Sequence, residues 1–307
     1  MSKTKTIKHL NVNFEELQQY KNTLNTTDLE NQMKAILNNK IHGLSFSPYL
    51  EGQSPADFAQ ITDTQIAERL SIVEPYTKWI RTFSVTNGNE VVPRIAKEKK
   101  FNTCVGIWIG DDEELNEIEI MNGIEIAKKG HADILAVGNE VLLREDIEVD
   151  KLIEYIRRVK EAVPEVQVGY VDAYYEFANY EEIVDEVDVL LANCYPFWEK
   201  TPLEYSVEYM KKMYQMAVKH SKGKKVIISE TGWPTKGEQY GGAIPSYENA
   251  LIYFVETHKW AMKENIDILY FSSFDETWKI EVEGEYGAYW GLWDKDGKYK
   301  FNKKTGE

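Results

Sequence analysis

The sequence predicts a (β/α)₈ barrel, and three observations carry the prediction. Eight short runs are almost wholly apolar and rich in Val and Ile, which is how strands buried on both faces read. Longer stretches with apolar residues three and four apart fill most of the gaps between them. No GxGxxG opens a helix after a strand, as a doubly wound dinucleotide-binding sheet would require. A chain of 307 residues suggests two average domains, but α/β barrels reach this length as one body and no low-complexity linker divides the chain. The expected division is therefore an N-terminal extension over 1–40, helical and packed on the barrel, and a catalytic barrel over 41–307.

In chain order, the extension holds a helix around Thr27 to Leu37, and strand one is IHGLSFS, Ile41 to Ser47. A helix from Asp63 to Val73 leads to strand two, WIRTF, Trp79 to Phe83, and strand three follows as TCVGIWI, Thr103 to Ile109. Glu113 to Lys129 is helical, and its Glu113, Glu114, Glu117 and Glu119 read as a solvated face. Strand four is DILAV, Asp133 to Val137; the next helix, Val149 to Val163, is stopped by Pro164 before strand five, QVGYV, Gln167 to Val171. Tyr180 to Val187 is a helix before strand six, VLLAN, Val189 to Asn193. Ser206 to Ser221 precedes strand seven, KVIIS, Lys225 to Ser229, and Ser246 to Glu264 precedes strand eight, DILYFS, Asp267 to Ser272. Asp63, Ser206 and Ser246 stand where an N-cap is wanted. The eighth helix is weak, replaced by an aromatic and acidic loop from Phe274 to Trp293.

Composition narrows the function. With 51 acidic against 36 basic side chains the net charge is −15, which disfavours nucleic acid and anionic membranes as partners. Two cysteines, Cys104 and Cys194, exclude a disulfide framework and a structural zinc site by count, and are expected as free thiols. The five histidines show no metal spacing, so neither a metal nor another cofactor is expected. No run approaches the roughly 18 apolar residues of a membrane helix, and the N-terminus does not read as a secretory signal. Eight Trp, 19 Tyr and 11 Phe exceed what a core requires.

A barrel's active site lies at the C-terminal ends of its strands, and here those ends are rich in carboxylates. Strand four delivers Asn139 and Glu140, strand seven Glu230 followed by TGWP, and strand eight Asp275 and Glu276. Strand two ends near Arg81, strand five at Asp172, and strand six at Asn193, Tyr195, Phe197 and Trp198. Carboxylates on strands four and seven face each other across a barrel mouth. At about 5 Å apart they suit retention of configuration at a sugar's anomeric carbon, and above roughly 6.5 Å inversion. Asn139 is placed to bond a sugar 2-hydroxyl, and Tyr195 and an inward Arg81 to hold a nucleophile ionised. Tyr49, Asp172, Asn193, Phe197, Trp198, Trp233, Trp278, Trp290 and Trp293 are the expected substrate-binding residues, the rings offering flat faces to pyranoses. Taken singly, Asn-Glu after an apolar run is a turn with a cap, and SETGWP a strand end with a Gly-Pro turn. Two opposed glutamates with amide and aromatic partners make a coincidence that favours catalysis.

The motifs VGNEV (Val137 to Val141), LLANCYPFW (Leu190 to Trp198), ISETGWPT (Ile228 to Thr235), FSSFDETWK (Phe271 to Lys279) and WGLWD (Trp290 to Asp294) together resemble glycoside hydrolase family 17. The likeness runs in order over about residues 41 to 300. It implies a β-1,3-glucanase of laminarin type in which Glu140 is the general acid/base and Glu230 the nucleophile of a double displacement. Glu276 and Lys279 match the family's Glu-x-x-Lys pair, which supports the site. The resemblance also implies transglycosylation as an alternative outcome, a β-glucan as partner, and action on an extracellular or periplasmic polymer, with a cytoplasmic place left open; a monomer is expected. A non-catalytic sugar-binding barrel is disfavoured by two intact glutamates. A phosphate-binding barrel is disfavoured by loops lacking a glycine-rich anion cradle.

Overall fold

The computed structural model describes residues 7–19 and 23–302. Its eight strands are β1 (Ile41–Ser45), β2 (Thr77–Arg81), β3 (Asn102–Ile107), β4 (Ile134–Asn139), β5 (Gln167–Ala173), β6 (Val189–Asn193), β7 (Lys225–Glu230) and β8 (Leu269–Tyr270). All ladders are parallel, in the order β7-β6-β5-β4-β3-β2-β1-β8. A bridge between Ile228 and Ile268, with Ile228 N–H donating to Asp267 O at 3.0 Å, joins the two ends. The result is the nearly closed (β/α)₈ barrel.

The helices are α1 (Thr26–Asn38), α2 (Asp63–Val73), α3 (Val92–Glu98), α4 (Glu113–Lys128), α5 (Val141–Arg144), α6 (Val149–Ala162), α7 (Glu176–Asn179), α8 (Glu181–Glu186), α9 (Leu203–His220), α10 (Tyr247–Glu264) and α11 (Ile280–Glu283). Two expected caps are corrected. Thr62, not Asp63, caps α2 by accepting from Gln65 N–H, while Ser206 lies inside α9 and bonds back to Leu203 O. Ser246 does cap α10, accepting from Asn249 N–H. The short α3 carries Pro93 in its first turn and spans too few residues to show a period. Past β8 the chain forms 3₁₀ turns at Thr277–Lys279 and Glu285–Ala288 around α11, and among the described residues no long helix. Helix α1 packs on α10 with Leu29, Met33, Ile36 and Leu37 buried, and Tyr247 Oη reaches Glu30 Oε1 at 2.5 Å. An element that precedes the barrel thus covers the side of α10 that an eighth helix would cover.

Alternation of side chains divides the core. Cys104, Ile134, Ala136, Val171, Val189, Leu191, Ile227 and Leu269 fill the barrel interior. Their neighbours, among them Leu135, Val168, Leu190 and Ile228, face the helices. Cys104 and Cys194 are buried free thiols.

Two ladders break register at their C-terminal ends. Ala136 pairs with Gly169 but Asn139 with Val171, so β4 carries one extra residue. Ala192 pairs with Ile228 but Asn193 with Glu230, so Ser229 is extra in β7. Bulges at barrel rims re-aim side chains, and here they aim Glu140 and Glu230. Gly138 permits the first: its φ is +86°, and a Cβ there would stand 2.8 Å from Val141 Cγ2 and 3.2 Å from the Tyr170 ring.

Candidate active site

Glu230 ends β7 with its carboxylate almost wholly buried. Arg81, on β2, donates from Nη1 to Glu230 Oε1 at 2.7 Å, and Tyr195 Oη donates to Oε2 at 2.7 Å. Asn193 Nδ2 stands 3.3 Å from Oε1. Arg81 is itself buried, lies 4.3 Å from the Phe83 ring centre, and donates from Nη2 to Asn139 Oδ1 at 2.6 Å. That bond turns the Asn139 amide nitrogen away from the arginine. Burial and the neighbouring Glu230 charge push the Tyr195 phenol well up, so it remains a donor.

Glu140 follows the β4 bulge in the left-handed region, with φ +53° and ψ +30°, a conformation a non-glycine residue adopts at a cost. Its N–H donates to Val171 O at 2.8 Å, and its carboxylate accepts from Asn193 Nδ2 at 2.8 Å. Asn193 is oriented by Ser229 Oγ, which donates to Asn193 Oδ1 at 2.7 Å. Burial first, then the Glu230 charge, raises the Glu140 carboxyl from 4.5 to about 7; Asn193, Arg144 and Arg81 oppose the rise.

Glu276 and Lys279 form a buried ion pair at 2.7 Å beside the same hollow. Trp278 Nε1 donates to Glu276 Oε1 at 3.1 Å, and Lys279 Nζ lies 4.3 Å over the Phe271 ring. Asp275 stands behind them, accepting from Gly291 N–H at 2.9 Å and Lys300 Nζ at 2.7 Å, which fixes the last loop of the rim.

Two hollows open at the rim and meet at Glu140. The first, about 530 Å³, contains Glu140, Glu230, Asn139, Glu276 and Lys279, with Tyr49, Phe83, Trp108 and Trp278 among its rings. The second, about 600 Å³, contains Glu140, Asn193 and Tyr195, with Tyr175 and Trp198 as its half-buried rings.

Several expected sugar contacts are corrected by burial. Phe197, Trp233, Trp290 and Trp293 are buried, and lie on the wall of neither hollow. Phe197 packs edge to face on Trp198, Trp233 and Trp290, and Trp233 Nε1 donates to Ile244 O, so these rings are spent on one another. Trp290 packs edge-on to Tyr195, bracing the donor to Glu230. Trp293 sits with Tyr76, Phe274 and Tyr299. Asp172 is wholly buried, bonded by Tyr170 Oη and Ala173 N–H, and burial raises its carboxyl to about 8.

Other residues carry the site unheralded. Glu119, expected on a solvated face, is buried and accepts from Thr86 Oγ1 at 2.8 Å, Val85 N–H at 2.9 Å and Trp108 N–H at 3.0 Å. It ties together the loops after β2 and β3 that supply Phe83 and Trp108. Its place about one turn past Asn116 and one before Gly123, on the buried stripe that also holds Ile120, was the available signal. Arg144 lies 4.5 Å from the Trp108 ring centre and donates to the Asn139 carbonyl.

Residues 43–291, which hold both glutamates and their partners, match the family described as the BtgE/BtgC glycoside hydrolase domain. The chain belongs to the BtgE/BtgC glycoside hydrolase family. A glucan 1,3-beta-glucosidase of Candida albicans is 27% identical over 258 residues, 76% of this chain and 84% of its own. One of Schizosaccharomyces pombe is 28% identical over 265 residues, 78% and 81% of the two chains. The glycoside hydrolase family 17 β-1,3-glucanosyltransferase of Rhizomucor miehei superposes with a TM-score of 0.77 at 29% identity, covering 86% of this chain and 96% of its own. An active-site mutant of that transferase was solved with laminaritriose. The motifs at strands four, six, seven and eight thus belong to a glycoside hydrolase, and the family 17 resemblance holds across the barrel. The relatives divide between glucosidase and glucanosyltransferase, a division of acceptor and not of fold.

Proposed function

We propose that this family member cleaves β-1,3-glucan with retention of configuration, and that the same site passes the glycosyl unit to a sugar hydroxyl when one displaces water. One observation carries the reading: two carboxylates share the Asn193 amide, the half-buried Glu140 at 2.8 Å and the buried Glu230 at 3.3 Å. The bonded oxygens stand no further apart than those two bonds end to end. That is below the roughly 6.5 Å at which an inverting pair admits a water.

In the first step a Glu230 oxygen bonds to C1 while the C1–O3 bond breaks and Glu140 gives its proton to the departing O3. Forming the neutral ester removes the Glu230 charge that helps raise the Glu140 carboxyl, so Glu140 stays ionised once its proton has gone and can act as the base of the second step. In the second step water or an acceptor hydroxyl bonds to C1, its proton passes to Glu140, and Glu230 leaves as carboxylate. Asn139 is placed for the 2-hydroxyl, and the Glu276–Lys279 pair for hydroxyls further along the first hollow.

The glucan assignment rests on the relatives' names and on half-buried rings at Tyr49, Trp108, Trp198 and Trp278. Transfer is favoured by the Rhizomucor structure. A monomer, and action outside the cytoplasm on a polymeric substrate, are part of the same proposal. Digestion of laminarin followed by proton NMR tests the reading: β-configured reducing ends must appear first. Chromatography of the same digest separates the outcomes, since oligosaccharides longer than the substrate arise only by transfer. No cleavage of any linear β-1,3-glucan, or α-configured initial products, would overturn the reading.

A further inference from the structure

Residues 7–19 precede the family's span and cross the rim beside β5 and β6. Ile7 is held by both groups of the Asn179 amide: its N–H donates to Oδ1 at 3.0 Å and its carbonyl accepts from Nδ2 at 2.7 Å. Leu10 is held by two phenols, its N–H donating to Tyr174 Oη at 2.7 Å and its carbonyl accepting from Tyr209 Oη at 3.1 Å. Phe14 then stacks on Tyr205, with ring centres 5.4 Å apart. Asn179 ends α7, and Tyr205 and Tyr209 lie on α9, so the anchors belong to the outer ring of helices. Tyr174 and Tyr209 also hold the Glu199 carboxylate, at 2.9 and 2.5 Å, which fixes both phenols. Lys8 and His9, the two residues between the anchored positions, line the second hollow together with Glu140.

The chemistry orients the two hollows. The sugar whose C1 bonds to Glu230 must occupy the hollow that contains Glu230, and the oxygen protonated by Glu140 must leave toward the hollow that contains Glu140 without Glu230. The second hollow therefore receives the leaving chain and, later, the acceptor. Glu140 stands at its inner end and the anchored segment against its outer side.

We propose that residues 7–10 are the outer wall of the leaving-group arm and restrict it to short glucan chains, an assignment that rests on the proposed function. Without the wall, a longer chain continues over α7 and α9 in place of the segment. The test compares the full chain with a deletion of residues 1–12 and, in case the deletion unfolds, with a full-length Lys8→Gly, His9→Gly double variant. Each receives laminarihexaose labelled at its reducing end, and mass spectrometry reads the labelled fragments. Read at initial rate and counting only labelled fragments shorter than the hexaose, the label reports the leaving group before labelled sugars have been lengthened as acceptors. The full chain should release mainly labelled mono- and disaccharide. Both variants should raise the ratio of longer to shorter labelled fragments by about fivefold or more, the size of a change in a few sugar contacts. An unchanged or lower ratio in both variants would overturn the wall while leaving the catalytic reading intact. No labelled fragment from the full chain would overturn that reading and the wall with it.

Discussion

The ends of β4 and β7 hold the same side chain after the same kind of register break, yet their surroundings differ. Glu230 meets a cation at 2.7 Å, a phenol at 2.7 Å and an amide at 3.3 Å, all donors to a negative charge. Glu140 accepts from the Asn193 amide at 2.8 Å, is half-buried between the two hollows, and is raised to about 7 by desolvation and the Glu230 charge. Burial without a paired cation favours the neutral acid, and a ring of donors favours the anion. The lesson is that one bulge aims a carboxylate and the neighbouring strands decide what it does: Arg81 on β2 and Tyr195 beyond β6 make the β7 end a nucleophile's place.

The largest effect expected from breaking this contrast is at Glu230. Glu230→Gln should lower kcat on laminarioligosaccharides by about 10⁴-fold or more, whatever the leaving group, because no covalent ester can form. Glu140→Gln should be as damaging on oligosaccharides yet far milder for the first step with a p-nitrophenyl leaving group, which needs no proton; stopped-flow release of p-nitrophenol separates the two. Next in size is Arg81→Met. It leaves Glu230 buried without its cation, and urea unfolding should show a loss of about 3–5 kcal/mol along with most of the activity. A moderate effect is expected on pH dependence. The proton Glu140 donates is present below its value of about 7 and lost above it, so kcat/KM should fall along a basic limb near pH 7. The smallest effect is on stability. The folded Glu140 keeps its proton up to about 7 while the unfolded one releases it near 4.5, so stability falls as pH rises through that window. Glu140→Gln removes this loss, and its Tm advantage over the parent should be larger at pH 8 than at pH 5.

Strands and carboxylates were legible for a local reason. A run such as VLLAN is buried on both faces, and a polar residue at its end has little else to do than face the rim. Illegible were features set by contacts distant in sequence. The four buried rings at Phe197, Trp233, Trp290 and Trp293 read as sugar platforms because composition does not show that the first three pack together and that Trp293 packs with Tyr76, Phe274 and Tyr299. Glu119 looked like one charge of a solvated run, and only the β2 loop, some 34 residues earlier in the chain, makes it an acceptor for Val85 N–H. Asp172 is the exception, a local contact: it reads as the polar end of an apolar run, but Tyr170, two residues back on the same strand, bonds it inside the fold. The missing eighth helix was visible as a weak pattern after strand eight. Its cover, α1, lies at the other end of the chain and follows from packing on α10.

The most direct test of the division of labour between the two carboxylates is azide rescue, with an activated aryl β-laminarioside as donor. In Glu230→Ala, azide should take the nucleophile's place and give the α-glycosyl azide. In Glu140→Ala, it should intercept the ester on Glu230 and give the β-glycosyl azide. The opposite pair of products, or the same anomer from both variants, would contradict the assignment.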